Sequence, residues 1–430
     1  MRKKWLACIT ATALSAVFLA GCDGNKTVLA EAGEAEYLSY TERTDAFYEL
    51  VSASQGFSAE FASLACQNKT NENVAVSPVS AYIALALAAE VSGGDTQAEI
   101  LSALGVSYER LRSDFKLFYR AVSAEYKSNS GQVSARAVPV NSVWVNEGLE
   151  VKTERIQTLA ADYFCSSYSA DFAGNNKSAN AAVRAYVKKQ TKGLIDTDFA
   201  LDEQTLFTFI NTFYLKEVWN DYGDKLPWAD GEYTFASASG KTETVKLMQG
   251  YYAGGRAYEG ENFASFYTVT DHGYRLRFIT PKDGFSVSDV FTAENLAQIV
   301  NADNYDPYDH ENKLYYNTRC FFPEYKANYD GDVAPVLRSM GVRTLFGEKC
   351  DFSPITDSPA RVGQVRHVTE LTVNRRGIEG AAVTVLPAAG AAGPGEYEEV
   401  YRDFIVDRAF GYVLENSEGI ALFAGIVNAV

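Results

Sequence analysis

Apolar residues recur at helical spacing in several stretches of the chain. They fall on one face from Asp45 to Ala65, and a mostly apolar stretch runs from Ser77 to Gly93. We expect Ser77 to cap that second helix, because a serine hydroxyl satisfies a free amide of the first turn, and Pro78 suits the first helical position. Two further predicted helices are Thr96 to Leu104 and Ala179 to Thr191.

Other stretches are typical of β-strands. Leu206 to Leu215 is a run of β-branched and aromatic residues, which predicts a buried central strand. Gly419 falls in the turn of a C-terminal hairpin. Further predicted strands are Ala137 to Val145, Tyr274 to Thr280, Lys313 to Phe322, Arg366 to Val373, Phe410 to Glu415 and Ile420 to Val427. The mixture predicts an α+β fold.

At about 150 residues per domain, a chain of this length would hold about three domains. No break in composition divides the interior, so we predict one domain over residues 45–430. The 430 residues are 47% apolar and 13% aromatic, which is ample for one large core.

The N-terminus has the pattern of an export signal. Cationic residues at positions 2–4 precede an apolar segment from Trp5 to Ala20, which is short for a membrane span. It ends in Leu19-Ala20-Gly21-Cys22, which resembles the processing signal of bacterial lipoproteins. We expect residues 1–21 to be removed and Cys22 to carry lipid; the alternative is an ordinary secretory signal with a chance cysteine. Residues 22–44 are small, polar and acidic, and predict a flexible tether.

Charge excludes some partners. The net charge is −16, and loss of residues 1–21 removes three cations and no acid, leaving −19. Binding to nucleic acid or to a heparin-like polyanion needs basic patches, so we expect neither.

Few residues suit metal or catalytic chemistry. The cysteines of the folded part form no CxxC pair, and we expect free buried thiols, although export permits disulfides. They are Cys66, Cys165, Cys320 and Cys350, and the histidines are His272, His310 and His367. No HExxH, GxSxG, P-loop or dinucleotide motif occurs, so we expect no cofactor, no metal and no enzyme activity.

One internal loop stands out. Val373 to Val385 runs from a strand end through a glycine into very small residues, and Pro387 to Gly395 is an open Pro/Gly/Ala tract. Such a loop can bait a protease, and its strand-like first half can join a β-sheet.

Several segments resemble motifs of the serpin family, in the family's order. His367 stands eight residues before Arg375, where the family has a buried histidine, whereas Ala429 replaces a usual proline. The segments are Asn73 to Ser80, Gly93 to Thr96, Val187 to Ile195, Asn211 to Lys216 with Trp219, Phe322 to Tyr325, Leu337 to Phe346 and Leu422 to Asn428.

The resemblance implies a serpin fold of about nine helices and three β-sheets, in a metastable state with an exposed reactive-centre loop. A protease attacks the loop and forms an acyl-enzyme. The loop then inserts into the main sheet, drags the protease across the molecule and distorts its active site. Strand addition of this kind releases strain stored in the fold.

The resemblance places the loop at about residues 375–403, and its hinge fits insertion. Side chains of a strand alternate between faces. The face to be buried would carry small or apolar residues, namely Ile378, Gly380, Ala382, Thr384 and Leu386. The other face would carry Glu379, Ala381, Val383 and Val385. The alternative is a flexible, low-complexity surface loop.

Some residues depart from the family pattern. Arg375 replaces a common glutamate, Ile378 is bulky where insertion begins, Gly380 weakens a strand, and Pro387 lacks an amide hydrogen. Overpacking at Ile378 would cost about 1–3 kcal/mol. Slow insertion turns an inhibitor into a substrate, so a non-inhibitory serpin is the first rival hypothesis.

In the family the scissile residue lies sixteen positions after Arg375, which gives the bond Ala391–Ala392. Small residues there suit elastase-like or subtilisin-like serine proteases, and a cysteine protease is an alternative target. The segment from Ala392 to Phe410 is longer than usual, so the bond can instead lie near Gly393 or at Tyr397–Glu398.

The resemblance also assigns a shutter of buried polar residues beneath the sheet and a breach where insertion begins. The shutter residues are Ser77, Ser80, Asn211 and His367, and the breach residue is Trp219. A helix cap, a strand amide, a core histidine and a core aromatic are the structural alternatives.

The sequence therefore predicts a monomeric, lipid-anchored inhibitor of an extracellular serine protease, facing the periplasm or the cell exterior. A surface-anchored hydrolase is the rival from another class.

Overall fold

The computed structural model describes residues 26–36, 38–127, 133–219, 225–252, 257–301, 308–360, 362, 365–378 and 396–430. Its α-helices are α1 (Asp45–Cys66), α2 (Pro78–Glu90), α3 (Gly94–Leu104), α4 (Tyr108–Val122), α5 (Thr153–Asp162), α6 (Asn176–Gln190), α7 (Val287–Val290), α8 (Ala293–Asn301) and α9 (Ala334–Ser339). Short 3-10 helices cover Tyr40–Glu42 and Thr344–Phe346.

The first ten strands are β1 (Thr27–Ala30), β2 (Val74–Val76), β3 (Ala124–Lys127), β4 (Val133–Asn146), β5 (Cys165–Ala170), β6 (Phe207–Val218), β7 (Tyr233–Ala236), β8 (Thr242–Val245), β9 (Met248–Tyr252) and β10 (Ala257–Glu259). The others are β11 (Phe263–Val269), β12 (Arg275–Pro281), β13 (Tyr308–Asp309), β14 (Leu314–Phe322), β15 (Tyr325–Asp332), β16 (Arg366–Asn374), β17 (Gly377–Ile378), β18 (Glu398–Ile405), β19 (Phe410–Glu415) and β20 (Ala421–Val427).

The largest sheet has the order β1-β5-β4-β6-β17-β16-β15-β2-β20-β19-β12-β11-β10, with β3 paired to β4. We call the part from β1 to β15 the main sheet. A second sheet joins β13, β14 and β18, with β9 also on β14, and a third joins β7 and β8. Nine α-helices and three sheets in the described residues confirm the predicted α+β fold.

The main sheet separates two hydrophobic cores. Side chains of β6 alternate between them: Phe213 and Leu215 join the large core that contains α2, and Ile210 joins the smaller core beneath α6. Nearly every residue of α2 is buried, because it lies at the centre of the large core. The prediction of a buried central strand over Leu206 to Leu215 is confirmed.

The other predicted elements lie close to their expected positions, with one local correction. Ser77 precedes α2, but its side chain does not cap the helix. Its hydroxyl instead donates to the carbonyl oxygen of Leu422, 2.8 Å away. The capping prediction was wrong because the Ser77 hydroxyl is turned toward β20 and accepts no hydrogen bond from an amide of the first helical turn.

The expected flexible tether also needs correction. Thr27 to Ala30 form β1, which pairs antiparallel with β5 at the edge of the main sheet. Leu38 is buried in the large core, and Arg120 on α4 donates to Glu42 over 2.8 Å. Thr27-Val28-Leu29-Ala30 is a short strand-forming run, which the acidic composition of the whole segment concealed.

The thiol prediction is confirmed for the described cysteines, which are all free. Cys66, Cys165 and Cys320 are buried, and burial raises the pKa of each thiol. Cys350 is only partly buried, and the pKa of its thiol rises to about 11.

Candidate functional site

The hinge begins with a tight turn between β16 and β17. Asn374 pairs with Gly377, so Arg375 and Arg376 form the turn. Gly377 has a φ of +150°, and a Cβ atom there would collide with the carbonyl oxygen of Glu217. Only glycine therefore allows β17 to approach β6 this closely.

The strand β17 lies between β16 and β6. Ile378 pairs with Val373 on one side and with Glu217 on the other, and its side chain is fully buried in the large core. The predicted inward face is thus observed at its first residue. The side chain of Ile378 packs among the apolar side chains of the large core, and the expected cost of its bulk stays a prediction.

Arg375 holds the turn in place. Its Nε donates to the carbonyl oxygen of Leu226 over 2.7 Å, and its guanidinium lies 4.7 Å from the ring centroid of Trp228. Its backbone amide donates to Glu324 over 3.0 Å. Arg375, which replaces the family's usual glutamate, therefore holds the turn against Leu226, Trp228 and Glu324.

Trp219, the residue that the resemblance assigned to the breach, lies beside the turn between β16 and β17. Its indole nitrogen donates to the carbonyl oxygen of Asn374 over 2.7 Å, and its ring packs edge-on against Phe322. Trp219 thus fixes the last residue of β16 at the point where the hinge joins the sheet.

Sequence reasoning missed a buried carboxylate at the same place. Glu217 is 2% exposed, and its Oε2 lies 3.2 Å from Nδ1 of His272, whose ring stacks on Tyr126. Burial raises the pKa of the Glu217 carboxyl, and His272 partly opposes this effect. The only sequence signal was a glutamate near the end of a strand rich in apolar residues.

Three of the residues predicted to form the shutter are in contact. The amide of Ser77 donates to Nε2 of His367 over 3.0 Å, and the hydroxyl of Ser77 lies 3.0 Å from that of Ser80. Because Nε2 accepts this bond, His367 is held neutral, and burial lowers its pKa to about 4. The rings of Phe61 and Tyr329 lie against the imidazole.

Asn211 lies across a gap from these residues. Its side-chain amide donates to Asn141 on β4. In the described residues, β6 and β16 share no direct ladder, and only β17 bridges them. Below β17 a cavity reaches from α2 to the loop that follows α6, and its lining includes Ser80, Leu85, Phe199, Leu201, Asn211, Val365 and His367.

The loop after α6 covers this gap on the outer face. Arg366 at the start of β16 donates to the carbonyl oxygen of Asp198 over 2.6 Å. Asn180 on α6 exchanges two hydrogen bonds with the backbone of Leu201, at 2.8 and 2.9 Å. This cover was not predicted, because it depends on long-range contacts.

Several predicted site residues lie outside the described residues. They are the lipidation residue Cys22, the hinge residues Glu379, Gly380, Ala381, Ala382, Val383 and Thr384, and the reactive-bond residues Ala391 and Ala392.

Across the described residues, no cluster of His, Cys, Asp and Glu suits a metal ion. The helices described there are all too short or too polar to span a bilayer.

Comparison with known proteins identifies the family. The family model "Serpin (serine protease inhibitor)" matches residues 52–430. Serpin-ZX of Arabidopsis thaliana is 28% identical over 384 residues, which cover 83% of this chain and 92% of that protein. The chain belongs to the serpin family, whose members are generally protease inhibitors.

Solved structures show the same fold. Native stressed AtSerpin1 from Arabidopsis matches with a TM-score of 0.73 at 24% identity, covering 89% of this chain and 98% of that one. The thermophilic serpin tengpin in its native state matches with a TM-score of 0.72 at 21% identity, covering 93% of this chain and 97% of that one.

Proposed function

We propose that this serpin is a suicide inhibitor of an extracellular serine protease with a preference for small residues. Cleavage of the loop would leave the acyl-enzyme attached to a segment that inserts between β6 and β16. The proposed anchor is lipid on Cys22, which would hold the protein at a bacterial membrane facing the periplasm or the exterior.

The position of β17 carries this proposal. Gly377 and Ile378 already pair with both β6 and β16, and the cavity continues below them. Further insertion would extend two ladders at once and bury the small side chains at positions 380, 382 and 384. Each new ladder bond contributes about 0.5–1.5 kcal/mol, so several bonds and the buried apolar area supply the driving force.

The scissile bond is proposed at Ala391–Ala392. Of the alternatives, Tyr397–Glu398 is the less suitable, because Glu398 begins β18 and its amide donates to Lys313 over 2.8 Å. The Tyr397 hydroxyl also lies 2.7 Å from Nδ1 of His310. A bond held by such contacts does not fit an extended protease cleft readily.

An experiment with purified mature protein and an elastase-like protease tests the proposal. An SDS-resistant adduct is expected, with a higher melting temperature after the loop is nicked. Clean cleavage without an adduct would favour a non-inhibitory serpin, and peptide turnover by the protein alone would favour a hydrolase.

The scissile bond is tested by changing its specificity. Ala391→Arg should convert the protein into a trap for a trypsin-like protease. The matched control Ala388→Arg moves the cut three residues upstream, so less of the loop can insert. We expect that variant to be cleaved without an adduct, and an equal adduct from both variants would place the bond elsewhere.

A further inference from the structure

The N-terminal strand β1 begins at one end of the main sheet. Thr27 pairs with Ser169, and Ala170 beside it pairs with Asn146 on β4. The neighbouring residue of β4, Val145, pairs with Phe207 at the beginning of β6. We call this end of the main sheet the far pole.

The hinge lies at the other end. Val218, the last residue of β6, pairs with Gly377. Phe207 and Val218 are eleven residues apart on one strand, so about 36 Å separate the far pole from the hinge.

Lys26 fixes the beginning of β1 at the far pole. Its ammonium lies 4.1 Å from the ring centroid of Tyr168 and 5.5 Å from those of Trp144 and Tyr186. These rings come from β5, β4 and α6, so the cation–π contacts join the N-terminal segment to both the sheet and the helix above it.

We propose that β1 orients the anchored protein, with the far pole facing the bilayer and the hinge facing away. This inference rests on the proposed lipidation of Cys22. Four residues of chain from Cys22 to Lys26 span at most about 14 Å. The lipid therefore holds the far pole close to the membrane surface, whereas a free tether would let the protein turn in any direction.

The exposed carboxylates of the far pole do not favour this orientation. Glu147, Asp202 and Glu203 are exposed there. Acidic side chains are repelled by anionic lipids, so the short covalent connection must supply the orientation.

Energy transfer to a labelled bilayer tests the proposal. Mature protein in a Cys350→Ser background is coupled at Cys22 to a maleimide lipid and placed in phosphatidylcholine vesicles that carry an acceptor dye. A donor dye is attached through azidophenylalanine at one of two exposed positions, Glu147 at the far pole or Lys225 beside the hinge.

We expect several-fold more energy transfer from position 147 than from position 225. About ten Gly/Ser residues inserted before Lys26 should abolish the difference, because a flexible linker lengthens the connection between the lipid and β1. Lys26→Glu combined with Val28→Asp should reduce it by releasing β1. Equal transfer from both positions in the parent protein, or a difference that survives the linker, would overturn the proposal.

Chemical coupling makes this test independent of processing in the cell. Incorporation of radiolabelled palmitate into the cell-made protein tests the anchor itself. Failure of that incorporation would refute the proposed location, whereas the vesicle measurement alone decides the orientation.

Discussion

Protonation of the buried histidine His367 should destabilise this serpin in mild acid. The imidazole accepts a hydrogen bond from the amide of Ser77 and is enclosed by Phe61 and Tyr329. A protonated Nε2 cannot accept that bond, and no acidic side chain is among these contacts.

The size of the effect follows from linkage. Burial lowers the pKa of His367 from 6.5 to about 4, and a lowered pKa gives stability that is fully present above about 6.5. That stability is lost as the pH falls through the window toward 4, because the unfolded chain binds the proton first. From about pH 7 to about pH 5 the free energy of unfolding should fall by about 2 kcal/mol, and by about 3 kcal/mol over the whole window.

Urea unfolding at both pH values, followed by tryptophan fluorescence, measures this change. His367→Gln keeps a side-chain acceptor for the Ser77 amide and cannot become charged. Its stability should depend less on pH than that of the parent protein by about 2 kcal/mol.

The exposed histidine provides the matched control, since His310→Gln should keep the full pH dependence of the parent. Equal pH dependence in His367→Gln and the parent would refute the reasoning. A lower overall stability of the variant does not affect the comparison, because only the change with pH is read.

Three further predictions concern the hinge. Gly377→Ala should expel β17 and lower stability by about 1–3 kcal/mol, seen as faster proteolysis near Ile378, because its Cβ collides with Glu217; unchanged proteolysis would contradict this. Glu217→Gln should raise the melting temperature at neutral pH, because the raised pKa of the Glu217 carboxyl gives stability that is lost as the pH rises through it. A melting temperature of the variant at or below that of the parent at neutral pH would contradict this. Thr384→Arg should yield cleaved protein without adduct, because it would bury a charge, whereas Val383→Arg on the other face should still trap; trapping by both would refute the proposed register.

The sequence predicted elements whose pattern is local. α1 begins and ends within one residue of the predicted helix, because Thr44 caps it and apolar side chains recur along one face. β6 was predicted from its own run of β-branched and aromatic residues, which contribute side chains to the cores on both sides of the main sheet. The hinge glycine was recognised through the family resemblance, and the collision at Glu217 explains it physically.

Features that depend on distant partners were missed. Ser77 has the right position for a cap, but the carbonyl of Leu422 comes from a strand 345 residues away. The pair of Glu217 and His272 joins separate segments, and neither residue belongs to a motif. Lys26 was predicted only as part of a flexible tether, whereas three rings from β4, β5 and α6 lie around its ammonium.

The docked N-terminal strand has a consequence for where a captured protease would fit. Full insertion of the loop would carry the enzyme to the far pole, the end of the sheet that the proposed lipid on Cys22 would hold near the membrane. A protease of about 230 residues has a diameter of about 45 Å, which exceeds the 14 Å allowed by four residues of chain. If β1 peels away while Leu38 stays buried, sixteen residues give about 55 Å of clearance. Capture at a membrane would then require the N-terminus to be released from the sheet at the same time as the loop enters it.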